Sequence, residues 1–134
     1  MAFNDLFRLS SHAVITNDDG QVLLLKANYG DKHWGLPGGG LDPNETIHLA
    51  LLRECQEELG CEVTVNYLSG VYFHSAYQSQ AFIFRCELPE STQIMLSNEH
   101  SEYAFFDVAD LSLVQQQRIN DCLAFNGQVF SAAF

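Results

Sequence analysis

The stretch LPGGGLDPNETIHLALLRECQEELGC, Leu36 to Cys61, has two unlike halves. The first carries Gly38, Gly39, Gly40, Pro37 and Pro43, chemistry that excludes a regular element and predicts a loop of special backbone shape. The second predicts a helix from Thr46 to Leu59, with Asn44 or Thr46 as N-cap and Gly60 as the stop. Turned at about 100° per residue, that helix puts Ile47, Leu51, Leu52, Cys55 and Leu59 on its core face. Glu54, Glu57 and Glu58, at i, i+3 and i+4, share the neighbouring arc. Ala50 falls in the same arc one turn earlier, and its small side chain is expected to leave open space in front of the carboxylates. Arg53 lies at the edge, within i+4 reach of Glu57.

One arginine cannot neutralise three carboxylates, so without further cations raised glutamate pKa values are expected. Such a helix is either a solvated acidic face or an oxygen site for a hard cation such as Mg²⁺ or Mn²⁺. The preceding loop favours the cation. LPGGG offers carbonyls to complete a metal's coordination and amides to meet phosphate oxygens, with no Cβ in the way. It is not a P-loop, because no Gly-Lys-Ser/Thr follows.

Upstream, His12–Thr16 and Gln21–Ala27 read as strands joined by the turn Asn17-Asp18-Asp19-Gly20. Downstream, CEVTVNYLSGVYF, SQAFIFRCEL and EYAFFDV read as strands rich in β-branched and aromatic residues. LSLVQQQRINDCLAF reads as a second helix, with Leu111, Val114, Ile119, Cys122 and Leu123 near helical spacing. Strands surround two helices without strict βαβ alternation, which predicts an α/β fold: a mixed sheet with helices packed on it. Trp34, just before the glycines, is expected to pack in the core. The apolar tail FNGQVFSAAF is expected to cover the core or to pack on a second copy, as in a homodimer.

The 134 residues suit one domain, residues 1–134. No apolar run approaches the roughly 20 residues that span a bilayer, and the start shows no signal-peptide pattern, so a cytoplasmic location is expected. The net charge of −11, with six Lys+Arg, argues against a broad grip on nucleic acid or anionic membrane. A polyphosphate ligand stays compatible, since divalent cations reverse the local sign. Cys55, Cys61, Cys86 and Cys122 form no Cys-x-x-Cys or zinc spacing and read as small buried thiols.

Residues 39–61 resemble the Nudix box, the signature of Nudix (MutT-like) hydrolases. The seven fixed residues of that signature all match: Gly39, Glu45, Arg53, Glu54, Glu57, Glu58 and Gly60. Cys55 and Cys61 stand where an aliphatic residue is usual, and both are small and apolar enough to pack. The resemblance implies an α/β/α sandwich with a mixed sheet. It implies hydrolysis of a nucleoside diphosphate linked to another moiety (a nucleoside triphosphate, nucleotide sugar or dinucleoside polyphosphate) with Mg²⁺ or Mn²⁺. Carried over by position, Glu54, Glu57, Glu58 and the Gly38 carbonyl would hold the metal, with Glu54 an alternative general base. Arg53 would orient the box glutamates, and Glu45 would lock the loop to the helix.

Family members often place a further acid or histidine in a loop before the last strands. Here SNEHSEY offers Glu99, Glu102 and His100, ranked in that order. The SQPWPFP array of NADH-hydrolysing members is absent. The proline of ADP-ribose-hydrolysing members would fall near Ala76. Tyr77 lies roughly where diadenosine-polyphosphate hydrolases carry a tyrosine and is a candidate substrate contact. Two other readings remain: a nucleotide-binding sensor that has lost catalysis, and an RNA 5′-end pyrophosphohydrolase. Every box acid is present, against the first, and the acidity of the chain counts against the second.

Overall fold

The computed structural model describes residues 3–134. In chain order the elements are β1 (Arg8–Val14), β2 (Val22–Ala27), β3 (Trp34–Gly35), β4 (Gly38–Gly40), α1 (Ile47–Leu59), β5 (Thr64–His74), β6 (Ser79–Glu87), β7 (His100–Phe106), α2 (Leu113–Leu123) and β8 (Phe130–Ala133). Short 3₁₀ turns occupy Ser75–Tyr77 and Val108–Asp110. The strands form two sheets, ordered β4-β1-β6-β5-β8 and β3-β2-β7. The β1–β6 and β5–β8 pairs are parallel and the others antiparallel. Helix α1 packs on β1 and β4, and α2 packs on β5 and β6. No helix among the described residues is long and apolar enough to cross a membrane.

The turn at Asn17–Gly20 forms as its chemistry dictates. The Asn17 Oδ1 accepts from the amides of Asp19 (3.0 Å) and Gln21 (2.9 Å), and Gly20 takes the left-handed conformation at φ 77°. Beyond the Thr16–Val22 bridge, however, β1 and β2 part and enter different sheets. Their side chains give the reason. At Ala13–Ile15 of the first segment and along β2, successive buried apolar residues feed two separate cores. Ala13, Ile15, Leu23 and Leu25 join Leu51, Cys55 and Leu59 of α1, whereas Val14, Val22 and Leu24 join Ile119 and Cys122 of α2. Strand β6 alternates likewise, with Phe84 and Cys86 in the first core and Ile83 in the second. A helix therefore covers each of the two cores.

Two expectations change, and a third, that the tail covers the core, is met with a strand added. The WGLPGGG segment contains two short strands: Trp34–Gly35 pairs with β2 and Gly38–Gly40 with β1. Pro37, which has no N–H to give a ladder, sits between them and accepts from the Ala13 amide at 2.8 Å. Ala50 is fully buried, so it clears no space in front of the carboxylates. Finally, part of the tail is a strand. β8 adds to the edge of the larger sheet beside β5, and Phe130, Ala132 and Phe134 pack on the second core. Trp34 packs edge-on against Phe106, with ring centroids 5.0 Å apart, beside that same core. All four cysteines are free; Cys55, Cys86 and Cys122 are buried, and burial pushes the Cys86 thiol up to about 12.

Candidate active site

Helix α1 is fixed at both ends. The Thr46 hydroxyl accepts from the Leu49 amide (3.1 Å), and Gly60 closes the helix in the left-handed conformation at φ 74°. Of the box acids, Glu58 is buried at 4% exposure, whereas the side chain of Glu57 is 57% exposed. Glu54 lies between them in depth, its side chain 14% exposed.

The glycine segment is built against these acids. Gly38 has φ 139°, and a Cβ there would lie 2.7 Å from His12 Cα. Its amide donates to Glu58 Oε1 at 2.7 Å. A Cβ on Gly39 would lie 2.7 Å from the Glu54 carboxyl, so the missing side chain is what lets that carboxyl rest on the strand.

Arg53 is the hub. Its Nε donates to Glu45 Oε2 at 2.7 Å, and its two terminal nitrogens reach Glu45 Oε1 (2.9 Å), the Gly40 carbonyl (3.0 Å), Glu54 (2.9 Å) and Glu57 (3.4 Å). Glu45 in turn accepts from the Asp42 amide at 2.7 Å. This bidentate pair pins loop to helix. The Arg53 hydrogen bond and the Asp42 amide hold the Glu45 carboxyl down at about 2.

Arg53 reaches Glu54 and Glu57 and makes no ion pair with Glu58 among the described residues. Burial, followed by the charges of Glu54, Glu99 and Glu57, raises Glu58 to about 8 against the pull of the Gly38 amide. Burial also raises Glu54, partly offset by Arg53.

As the side chains stand, no three His, Cys, Asp or Glu residues among the described residues converge on one point. Glu54 is turned to Arg53, Glu58 to the Gly38 amide, and Glu57 outward. The donor set nonetheless suits a hard divalent cation. It consists of carboxyl oxygens, and the deepest of them is desolvated, surrounded by negative charge and without a Lys or Arg partner among the described residues; the basic side chain it meets is His100, whose imidazole burial holds below its ordinary range.

The loop candidates separate. Glu99 is exposed, yet its charge is felt at Glu54, Glu58 and Tyr29. His100 approaches Glu58, Nε2 to Oε2 3.8 Å, and its Nδ1 is buried without a partner. Glu102 does not reach the box: it faces Lys26 Nζ at 3.4 Å. The β2–β7 ladder slips by one residue between Lys26 and Ala27, and this slip gives His100 and Glu102, two positions apart, different surroundings.

In front of the box lies a cleft of about 470 Å³, lined by Gly38, Gly39, Glu58, His100, Tyr29 and Tyr77 among others. It shares His12, Tyr29, His33, Gly35 and Tyr77 with a second cleft of about 750 Å³ that runs to α2. Tyr77, 66% exposed, thus stands where the two meet. The residues missed by the sequence reading lie mostly in the second cleft: His12, His74 and Arg118. Arg118 had a signal. It sits four residues after Val114 and four before Cys122, interrupting the apolar stripe of α2.

Residues 6–123 match the NUDIX domain family model. The chain belongs to the NUDIX domain family. A MutT-like protein of Streptomyces ambofaciens is 37% identical over 83 residues, 61% of this chain and 53% of that protein. An RNA pyrophosphohydrolase of Aeromonas hydrophila is 47% identical over 60 residues, 45% of this chain and 34% of that protein. The chain thus spans about a third to a half of the length of these relatives. Among solved structures, an ADP-ribose pyrophosphatase from Streptococcus suis superposes with a TM-score of 0.75 at 20% identity, covering 96% of this chain and 100% of that one. A C. elegans Ap4A hydrolase gives 0.76 at 23% identity, covering 86% and 96%. At such identities these structures share the NUDIX fold with this chain.

Proposed function

We propose that the protein is a Mg²⁺- or Mn²⁺-dependent hydrolase that cleaves a pyrophosphate bond in a nucleoside diphosphate linked to another moiety. The observation that carries this reading is Glu58: a buried carboxyl with no Lys or Arg partner among the described residues, beside Glu54 and Glu57, at the floor of a cleft large enough for part of a nucleotide. Glu54, Glu57, Glu58 and the Gly38 carbonyl would hold the metal. When bound, it supplies neutralisation of phosphate oxygens and a more acidic water.

The chain's own groups divide the remaining work. Arg53 and Glu45 hold the acidic edge of α1 against the Gly38–Gly40 strand, so the carboxylates are positioned before substrate arrives. Proton removal from water falls to Glu54 or to Glu99, with His100 close behind Glu58. Tyr29 and Tyr77, exposed and lining the cleft, offer aromatic faces for a base to stack on.

The test is a panel of nucleoside triphosphates, nucleotide sugars and dinucleoside polyphosphates with Mg²⁺ or Mn²⁺, with the phosphate products identified. Turnover that collapses in Glu57→Gln is expected, and a panel without any turnover overturns the reading. Tight nucleotide binding without product would mark a sensor instead. An RNA 5′-end substrate is the second reading, favoured by relatives named as RNA pyrophosphohydrolases over about 60 residues. A steep salt dependence of RNA binding would carry it.

A further inference from the structure

The second cleft has an unusual charge pattern for this chain. The protein has 17 Asp+Glu against six Lys+Arg, yet Arg8 and Arg118 line the cleft beside His12, His33 and His74, and no carboxylate does among the described residues; burial and then the Arg118 charge hold the His12 and His74 imidazoles below their ordinary range, so the arginines carry the charge. At its inner end Arg118 is 9% exposed and makes no ion pair among the described residues. Its terminal nitrogens meet only neutral acceptors, Gln115 Oε1 at 2.6 Å and His74 Nε2 at 3.2 Å. Its Nε is buried with no partner at all. The nearby Asp121 carboxylate accepts from the Tyr72 hydroxyl at 2.8 Å instead.

A buried guanidinium without a counter-charge is costly, and five donors in a planar fork suit a paired-oxygen anion. Ser112, Val114 and Gln115, from the start of α2, line the same cleft and bring the positive end of the helix dipole to it. Because this cleft joins the one in front of the box, one ligand can lie in both.

We propose that the α2 end of the groove binds a second anionic group of the substrate, a phosphate or carboxylate on the moiety beyond the cleaved pyrophosphate, with Arg118 as its main ligand. This rests on the hydrolase reading above and narrows its substrate class to diphosphates with a distal negative charge.

The first arm needs no catalysis. In metal-free buffer, inorganic phosphate is titrated against wild type, Arg118→Met, Arg118→Lys and Glu57→Gln, followed by thermal unfolding. Phosphate should raise the melting temperature of wild type and Glu57→Gln, less that of Arg118→Lys, and not that of Arg118→Met. Without phosphate, Arg118→Met should melt no lower than wild type, because an unpaired charge has been removed. An equal phosphate response in wild type and either Arg118 variant overturns the proposal.

The second arm compares turnover within pairs differing by one distal anion: a nucleotide hexose against its uronate, and nicotinamide adenine dinucleotide against its 2′-phosphate. In at least one pair the charged member should be favoured by about tenfold in kcat/KM, and Arg118→Met should bring that ratio to about one. The pair that responds tells carboxylate from phosphate. Ratios unchanged by Arg118→Met overturn the proposal. If no pair turns over, the phosphate titration alone decides Arg118, and the hydrolase reading is judged separately on the wider panel above.

Discussion

Glu58→Gln in metal-free buffer isolates the cost of the acidic cluster. The Glu58 carboxyl, held at about 8 instead of 4.5, stays protonated in the folded chain while the unfolded chain has released its proton. A carboxyl with a raised folded pKa contributes stability that is complete below 4.5 and is lost as pH rises through 8. A displacement of that size corresponds to at most about 5 kcal/mol, and relaxation around a charged Glu58 brings a realistic figure nearer 2 to 4 kcal/mol. Glutamine has the same shape and keeps an oxygen for the Gly38 amide, but cannot ionise. At pH 5 the two proteins should have similar urea midpoints. At pH 8.5 the glutamine variant should be the more stable by that amount, and millimolar Mg²⁺ should narrow the gap by raising wild type alone. A gap between variant and wild type that stays constant from pH 5 to 8.5 would refute a desolvated, uncompensated Glu58.

Four further outcomes follow from the geometry. Glu57→Gln should lower metal-dependent turnover by about 10²-fold or more while leaving the urea midpoint almost unchanged, since the side chain is largely exposed. Gly39→Ala and Gly38→Ala should part company. The first displaces only the side-chain end of Glu54, costing about 1 kcal/mol or less but most of the turnover, whereas the second drives a Cβ onto the His12 backbone at positive φ and should cost about 3 kcal/mol or more in a urea melt. Glu102→Gln should keep kcat/KM within about twofold, because Glu102 faces Lys26, while Glu99→Gln should lower it at least about tenfold with a changed pH profile. Removing divalent metal with a chelator should abolish turnover, and adding Mg²⁺ back should restore it.

Most of α1 was readable because its signals are local. Thr46, Gly60, the apolar spacing and the three glutamates lie within one short segment, and helical phase fixes which side chains share a face. The separation of β1 from β2 was not readable in this way. Strong turn residues announce a hairpin, and nothing near them says that the strands beyond will prefer β6 and β7 to each other. Ala13, Val14 and Ile15, like the β2 residues, alternate between two cores, and that long-range packing leaves no mark near the turn. The Gly38–Gly40 strand was hidden because glycine has low strand propensity; its pairing is imposed by β1 and by the close approach of Glu54 and Glu58. Ala50 misled for a related reason, since a small residue in the acidic arc fits a tight helix-to-sheet contact as well as an open site. Among the loop candidates, a one-residue slip in the ladder separated His100 from Glu102, and no spacing rule foresees such a slip.

The box itself is contiguous, but the surface it presents is not. Strand β1, on which the glycine segment rests, pairs in parallel with β6, so that Val14 and Arg85, 71 positions apart, lie side by side. His100 reaches Glu58 from β7, later still. During vectorial synthesis the nascent chain therefore carries the whole signature long before it carries a site. Pairings this distant in sequence slow folding, because loop closure is paid before the contacts reward it. A site built this way is complete only when the second half of the chain has arrived.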